Sequence, residues 1–310
     1  MIKTPALLLA ALFAATAVSA EQSPPAPAVA KTPATDLSGV TVRPEAKPNP
    51  LADPTTQFVR RQLPENIFSD QYPRFRDDIC VRVQGLPPEF DAFIAGRVIA
   101  IANEVHAPVA KAANCAPNVN VVFTAAPQAL VDVIYHRRDI LLGFRFHAQV
   151  KRVTTFERPI QSWYLTRTRD GHGASYLEVE NALVSWAEKP AGSPGSRLSN
   201  GMSAEVVHSL ILADASKVAD AKIGPIADYI AVLALARWQH LERCNPRIST
   251  VLNLMADGCD AEDRPGAATP ADLALLTGLY AVDPRENGAQ QRATIASAIR
   301  KAATADEAKH

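Results

Sequence analysis

The chain has 310 residues, and its 32 lysine and arginine residues balance its 32 aspartate and glutamate residues. This balance gives the chain as a whole no attraction for nucleic acid or for an anionic membrane surface, so we expect neither as a partner. With 47 % apolar residues, the chain is apolar and long enough to bury the core of one sizeable domain.

The first 20 residues have the pattern of a secretory signal peptide. Lys3 precedes an apolar run at residues 6–18, and small residues stand before Glu21, which predicts cleavage after Ala20 and a periplasmic or secreted location. The apolar run is shorter than the ~20 residues that span a bilayer, and no cysteine stands at the cleavage point to accept a lipid. We therefore expect no membrane anchor in the mature chain.

The next segment, residues 21–56, is dominated by proline, alanine and small polar residues. This composition is too poor in large apolar groups to fold, so we interpret it as a disordered leader. We place a globular domain at residues 57–285, followed by a C-terminal helix with a frayed tail at residues 286–310.

Apolar periodicity predicts alternating strands and helices in the rest of the chain. A helix at residues 88–107, with apolar residues every three or four positions, separates strands at 77–86 and 117–125. There follow a helix at 127–139, a strand at 140–153, a hairpin of two strands around residues 170–173, and a strand at 206–216. Helices at 224–238, 269–280 and 288–310 complete the chain. The class is therefore α/β or α+β, a single domain in which helices pack against a mixed sheet.

Four cysteines in an exported chain favour disulfides over metal binding or redox chemistry. Three pairings are possible, and the spacing favours Cys80 with Cys115 and Cys244 with Cys259. Cys80 and Cys115 stand near the starts of two strands that a helix connects, so a parallel crossover brings them to adjacent strands about 4.8 Å apart. Cys244 and Cys259 then close a loop.

The stretch GPIADYIAVLALARW, residues 224–238, is apolar on all sides, which is typical of a buried helix. Gly224 fits the N-cap and Pro225 fits the first helical position. Asp228 lies near the positive end of the helix dipole, so a capping role accounts for its charge. The alternative is that Asp228 and Tyr229 line a pocket together with Asp214, where two carboxylates perform acid/base chemistry.

Common catalytic motifs are missing from the sequence. The seven histidines include no pair three or four residues apart, so no helix face carries the two imidazoles of a zinc hydrolase. No Gly-x-Ser-x-Gly nucleophile elbow, phosphate-binding glycine-rich loop or dinucleotide fingerprint occurs. We therefore predict no metal and no cofactor, and an enzyme only of a type that lacks a local signature.

The stretch from His136 to Asp170 stands out because basic residues outnumber acidic ones and aromatic residues are interleaved. Arg167 and Arg169 share one face of a predicted strand. Such a surface suits an anionic polymer of the cell envelope, such as a cell-wall glycan, or another envelope protein. The alternative is a charged edge strand that discourages aggregation. The predicted binding residues are Arg137, Arg138, Arg145, Lys151, Arg152, Trp163, Tyr164, Arg167 and Arg169.

Four apolar stretches, NVNVVFTA, VVHSLILAD, IGPIADYIAVLALAR and TPADLALLTGLYAVDP, resemble a family of uncharacterised exported proteins of Gram-negative bacteria, which brings no known activity. A second resemblance is to the layout of metzincin-type peptidases, with LLTGLY like the closing helix and Met255 at the methionine turn. The zinc-binding histidines and the general-base glutamate of that family are missing from IADYIAVLALARW. The resemblance therefore implies a metal-free relative to which no peptidase residue carries over.

These observations predict a non-catalytic binding or scaffold domain of the cell envelope. A hydrolase of unrecognised type that uses Asp214, Asp228 and Tyr229 is the alternative. A scaffold in which the C-terminal helix docks into a partner is a further possibility.

Overall fold

A computed structural model describes residues 53–66, 69–112, 114–143, 149–170, 174–177 and 201–308. They belong to one compact unit, Lys47–His310. The predicted signal peptide, most of the predicted leader and Arg145 lie outside the described residues. In the part of the chain that is described, no helix is both long and apolar enough to cross a membrane.

The described elements are six strands and eight α-helices. The strands are β1 (Arg74–Phe75), β2 (Val81–Gln84), β3 (Val119–Thr124), β4 (Ile160–Asp170), β5 (Ser175–Leu177) and β6 (Met202–Asp214). The helices are α1 (Pro54–Gln62), α2 (Pro88–Glu104), α3 (Pro127–Arg138), α4 (Val150–Thr154), α5 (Ala215–Val218), α6 (Ile223–Leu235), α7 (Pro270–Ala281) and α8 (Gly288–Glu307). Short 3₁₀ helices span Asp139–Leu142, Val251–Met255 and Ala261–Asp263.

The strands form one mixed sheet in the order β2-β3-β6-β4-β5, and β1 pairs with β6. Strands β2, β3 and β6 run parallel, as do β1 and β6, whereas β4 is antiparallel to both β6 and β5. The sheet with its packed helices confirms the predicted class.

The two faces of strand β6 point into two cores. Ile211 and Ala213 point into the larger core, whereas Leu210 and Leu212 pack with Trp163 in a smaller core beneath α3. In the larger core, every residue of α6 from Ile226 to Leu235 is buried, which confirms the predicted core helix.

The two ends of the described chain pack against each other. Helix α1 contacts α8, and Arg300 of α8 donates to the carboxylate of Asp53, the N-cap of α1, at 2.7 Å. Ile295 and Ile299 of α8 are buried, and a Cβ on Gly278 of α7 would stand 2.9 Å from the Ile295 Cα. Helix α8 is therefore an integral part of the fold.

Several predicted boundaries differ from those observed. Helix α1 begins at Pro54, so the folded part starts before the predicted boundary at residue 57. Helix α6 begins at Ile223 with Lys222 as its N-cap, so Gly224 is not the cap and Pro225 is not the first helical residue. The predicted strand at 140–153 is wrong, because this stretch contains the end of a 3₁₀ helix and most of α4. The chain turns at Gly143, whose φ of +75° strains any other residue.

Both predicted disulfides are confirmed. Cys80 pairs with Cys115, with their Cα atoms 6.0 Å apart, and Cys244 pairs with Cys259 at 5.1 Å. Cys80 directly precedes β2, which lies parallel to β3 as the prediction assumed. The second bridge closes a loop that Asn253 holds from within through both sides of its amide.

Candidate anion-binding site

The predicted pair Arg167 and Arg169 lies on one face of β4 and contacts a buried carboxylate on β6. Arg167 stands opposite Glu205 in the strand register. Its Nε donates to Glu205 Oε2, while Arg169 donates from Nε to Oε1 at 3.0 Å and from Nη2 to Oε2 at 3.3 Å. Guanidinium groups therefore hold both oxygens of Glu205, whose side chain is only 3 % exposed.

A third arginine reaches the same carboxylate from another strand. Arg76 follows β1, which pairs with β6 at Glu205, and its Nε lies 3.9 Å from Glu205 Oε1. We call Arg76, Arg167 and Arg169 the arginine cluster. Its three positive charges face two negative ones, Glu205 and Asp77, which accepts from Arg167 Nη2 at 2.6 Å. The hydrogen bonds from Arg169 to Glu205 raise the pKa of Arg169 further, so this guanidinium is charged at any physiological pH.

A cleft of about 580 Å³ opens beside the arginine cluster. Arg76, Arg169 and Arg285 line it together with carboxylates and the chain at residues 201–203. The side chains of Arg76 and Arg169 are 30 % and 39 % exposed, so both keep guanidinium surface available to solvent. Arg285 hydrogen-bonds Asp283 and lowers the pKa of this carboxyl to about 2. A cleft of this volume holds a small molecule or a few sugar units, and guanidinium groups bind carboxylates and phosphates.

The two predicted aromatic residues are not binding groups, which corrects the prediction. Trp163 is 4 % exposed, and its Nε1 donates to the Val153 carbonyl at 2.8 Å. Tyr164 lies in the larger core and donates from its hydroxyl to the Leu233 carbonyl at 2.8 Å. Helices cover both faces of β4 at this point, so neighbouring residues that point to opposite faces are both buried.

The remaining predicted basic residues do not join the arginine cluster. Arg137 and Arg138 are in the last turn of α3, and Lys151 and Arg152 are in α4; all four are exposed. Trp163 contacts α4, and Arg167 lies four residues farther along β4, roughly 13 Å at about 3.3 Å per residue. The predicted continuous basic surface is therefore two separate groups.

The three candidate catalytic residues are not brought together. Asp214 caps α5, where it accepts from the Ser216 N–H at 3.1 Å and lies 3.8 Å from Lys217 Nζ. Asp228 instead pairs with Arg97 of α2 and accepts from the Ala268 N–H at 2.8 Å. Asp228 therefore links α6 to α2 and to the chain before α7. The predicted role as a helix cap is wrong.

Tyr229 is fully buried in the larger core. Its hydroxyl has no hydrogen-bond partner among the described residues, and burial raises the pKa of this phenol. A group so enclosed has no contact with a solvent-borne substrate.

Sequence reasoning missed Arg76, Arg285 and Glu205. The two arginines are far apart in the sequence, near the two ends of the folded segment, and no local pattern connects them. Glu205 did carry a signal, because it stands between Ala204 and Val206 in a mostly apolar strand, where a carboxylate is rarely buried unless it is paired.

Within the described ranges, no group of three or more histidine, cysteine, aspartate or glutamate residues is placed to hold a metal ion. Comparisons of the chain with protein-family models, with curated proteins and with solved structures find no match.

Proposed function

We propose that the protein is an exported, non-catalytic domain that binds an anionic polymer of the cell envelope at the arginine cluster. The observation that carries the proposal is the convergence of Arg76, which follows β1, with Arg167 and Arg169 of β4 on the Glu205 carboxylate beside one cleft. Two disulfides fit a periplasmic or secreted location, since such bonds persist in oxidising compartments.

Glu205 supports binding by holding the guanidinium groups in place before a ligand arrives. Ordering a long side chain on binding costs about 0.5–1.5 kcal/mol, and this cost falls when the side chain is already held. Glu205 and Asp77 leave one of the three cluster charges unbalanced. A ligand carboxylate in the cleft therefore meets guanidinium donors that are already ordered.

The test uses polygalacturonate, which carries a carboxylate on each sugar, and dextran as an uncharged polymer. We expect the mature chain to bind polygalacturonate at low salt and not dextran, with affinity falling as salt rises. Combined Arg76→Gln and Arg169→Gln substitutions should weaken binding by about tenfold or more, because they remove two charge-assisted contacts.

The matched control replaces Arg137 and Arg138, which are exposed and outside the cleft, by glutamine. This change removes the same charge and should alter binding less than about threefold. Equal losses in both double variants would contradict the proposed site, and no binding of polygalacturonate by the unaltered chain would contradict the ligand class.

A further inference from the structure

A second groove, of about 670 Å³, lies between helix α1 and the loop closed by Cys244 and Cys259. Arg60 and Arg61 in the last turn of α1 form one side, and Arg247 of the disulfide loop lies on the other. We call it the α1 groove. It shares no lining residue with the cleft at the arginine cluster.

The α1 groove carries positive charge that the described residues do not neutralise. Arg60, Arg61 and Arg247 are exposed, none of them pairs with a described carboxylate, and none of the residues that line the groove is acidic. Cations at a helix C-terminus complement the helix dipole, which accounts for Arg60 and Arg61 without a ligand. It does not account for Arg247, which the disulfide loop places on the other side of the groove.

Asn245 is a second, independent indication of a ligand. It lines the α1 groove and is 4 % exposed, yet its Nδ2 is buried with no hydrogen-bond partner among the described residues. Its backbone is fixed by Asn253, which accepts from the Asn245 N–H at 2.9 Å and donates to its carbonyl at 3.0 Å. A buried donor without an acceptor is costly. Because Asn245 lines the groove, a rotation of its side chain that turns Nδ2 toward the groove lets a ligand oxygen accept from this donor.

We propose that the α1 groove binds the phosphate group of a small phosphorylated sugar. Guanidinium groups match the geometry of phosphate oxygens, and the Asn245 amide adds a neutral donor. Phe58, Pro246 and Ile248 supply apolar lining for the sugar ring, and the volume lies in the range of small-molecule sites. This site does not depend on the proposed function of the arginine cluster.

The test is calorimetric titration of the mature chain, with its disulfides intact, by glucose 1-phosphate, inorganic phosphate and glucose. We expect glucose 1-phosphate to bind more tightly than inorganic phosphate, and glucose not to bind. Arg61→Gln and Arg247→Gln should each weaken glucose 1-phosphate by about tenfold, since each removes a charge-assisted contact. Both side chains are exposed, so the variants should keep the melting temperature of the parent.

Arg243→Gln is the matched control, because Arg243 is exposed, directly precedes the disulfide loop and does not line the groove. It should bind glucose 1-phosphate as the parent does, and so should the combined Arg76→Gln and Arg169→Gln variant, which separates this proposal from the first. Absence of binding by the parent, or a loss in Arg243→Gln as large as in Arg247→Gln, would overturn the proposal. Equal affinity for inorganic phosphate and glucose 1-phosphate would show that the groove binds phosphate without contacting the sugar, which would overturn the proposed ligand class.

Discussion

Replacing Tyr229 by phenylalanine is expected to raise the free energy of unfolding, whereas the same change at Tyr164 is expected to lower it. Both side chains are buried in the larger core, and burial raises the pKa of both phenols, so neither ionises near neutral pH. They differ in one respect. The Tyr164 hydroxyl donates to the Leu233 carbonyl at 2.8 Å, and the Tyr229 hydroxyl has no partner among the described residues.

The magnitudes follow from this difference. A buried hydroxyl without a hydrogen bond costs about 1–3 kcal/mol, and its removal loses only a few dispersion contacts of ~0.1–0.2 kcal/mol each. Tyr229→Phe should therefore stabilise the fold by about 1 kcal/mol. Tyr164→Phe leaves the Leu233 carbonyl without this donor, which costs about 1–2 kcal/mol. For a domain of this size, 1 kcal/mol corresponds to about 2–4 °C in melting temperature.

The assay is reversible urea unfolding of the mature protein with its disulfides intact, followed by circular dichroism and by tryptophan fluorescence. Coincident transitions by the two probes establish the two-state behaviour that the comparison requires. A loss of more than about 1 kcal/mol in Tyr229→Phe would refute the reasoning, because it would mean that this hydroxyl has a partner. Abolition of a hydrolytic activity in a stably folded Tyr229→Phe would instead restore the catalytic hypothesis.

Asp228→Asn should lower the free energy of unfolding by about 1–3 kcal/mol, because it removes the charge that Arg97 contacts; denaturant titration checks this, and an unchanged midpoint would contradict the structural role of the pair. Glu205→Gln should destabilise the fold by about 1–3 kcal/mol and weaken polygalacturonate binding, because the neutral amide no longer holds the guanidinium groups of Arg167 and Arg169 in place. Unchanged binding by the folded Glu205→Gln variant would argue against this positioning role. Burial lowers the pKa of His208 in the folded chain, so as the pH falls the unfolded chain is protonated at this histidine before the folded chain is. The contribution of His208 to the free energy of unfolding is fully present above pH ~6.5, and it is lost as the pH falls from there to the lower folded pKa. The urea midpoint between pH 7.5 and 5 should accordingly fall less in His208→Gln than in the parent, and equal falls would rule this contribution out.

The sequence allowed prediction of those parts of the fold whose signals are local. Helix α6 and strand β3 are dense apolar runs bounded by clear breaks, and both are found, with ends shifted by one to three residues. The disulfide between Cys80 and Cys115 followed from their positions at the starts of two consecutive parallel strands. The failure at residues 140–153 has a local cause as well. The apolar residues there suit an extended strand, but Gly143 turns the chain against the Tyr164 carbonyl.

The candidate sites depend on contacts that periodicity does not encode. The alternation along the strand correctly predicted that Arg167 and Arg169 share one face. The same reasoning predicted an exposed Trp163, but α3 and α4 cover that side chain. The arginine cluster needs Arg76, which reaches Glu205 only because β1 joins the sheet next to β6. Such contacts arise from tertiary topology, which a pattern of residues along one chain does not determine.

The contact between α1 and α8 has a consequence for how the chain matures. The first and last helices of the described chain pack on each other, and Arg300 holds the cap of the first. Any machine that delivers this chain amino terminus first therefore releases α1 long before its packing partner exists. Burial of the apolar side of α1 must wait until α8 has emerged. Chain delivery, and not only the intrinsic folding rate, then sets the earliest time at which the domain resists a protease.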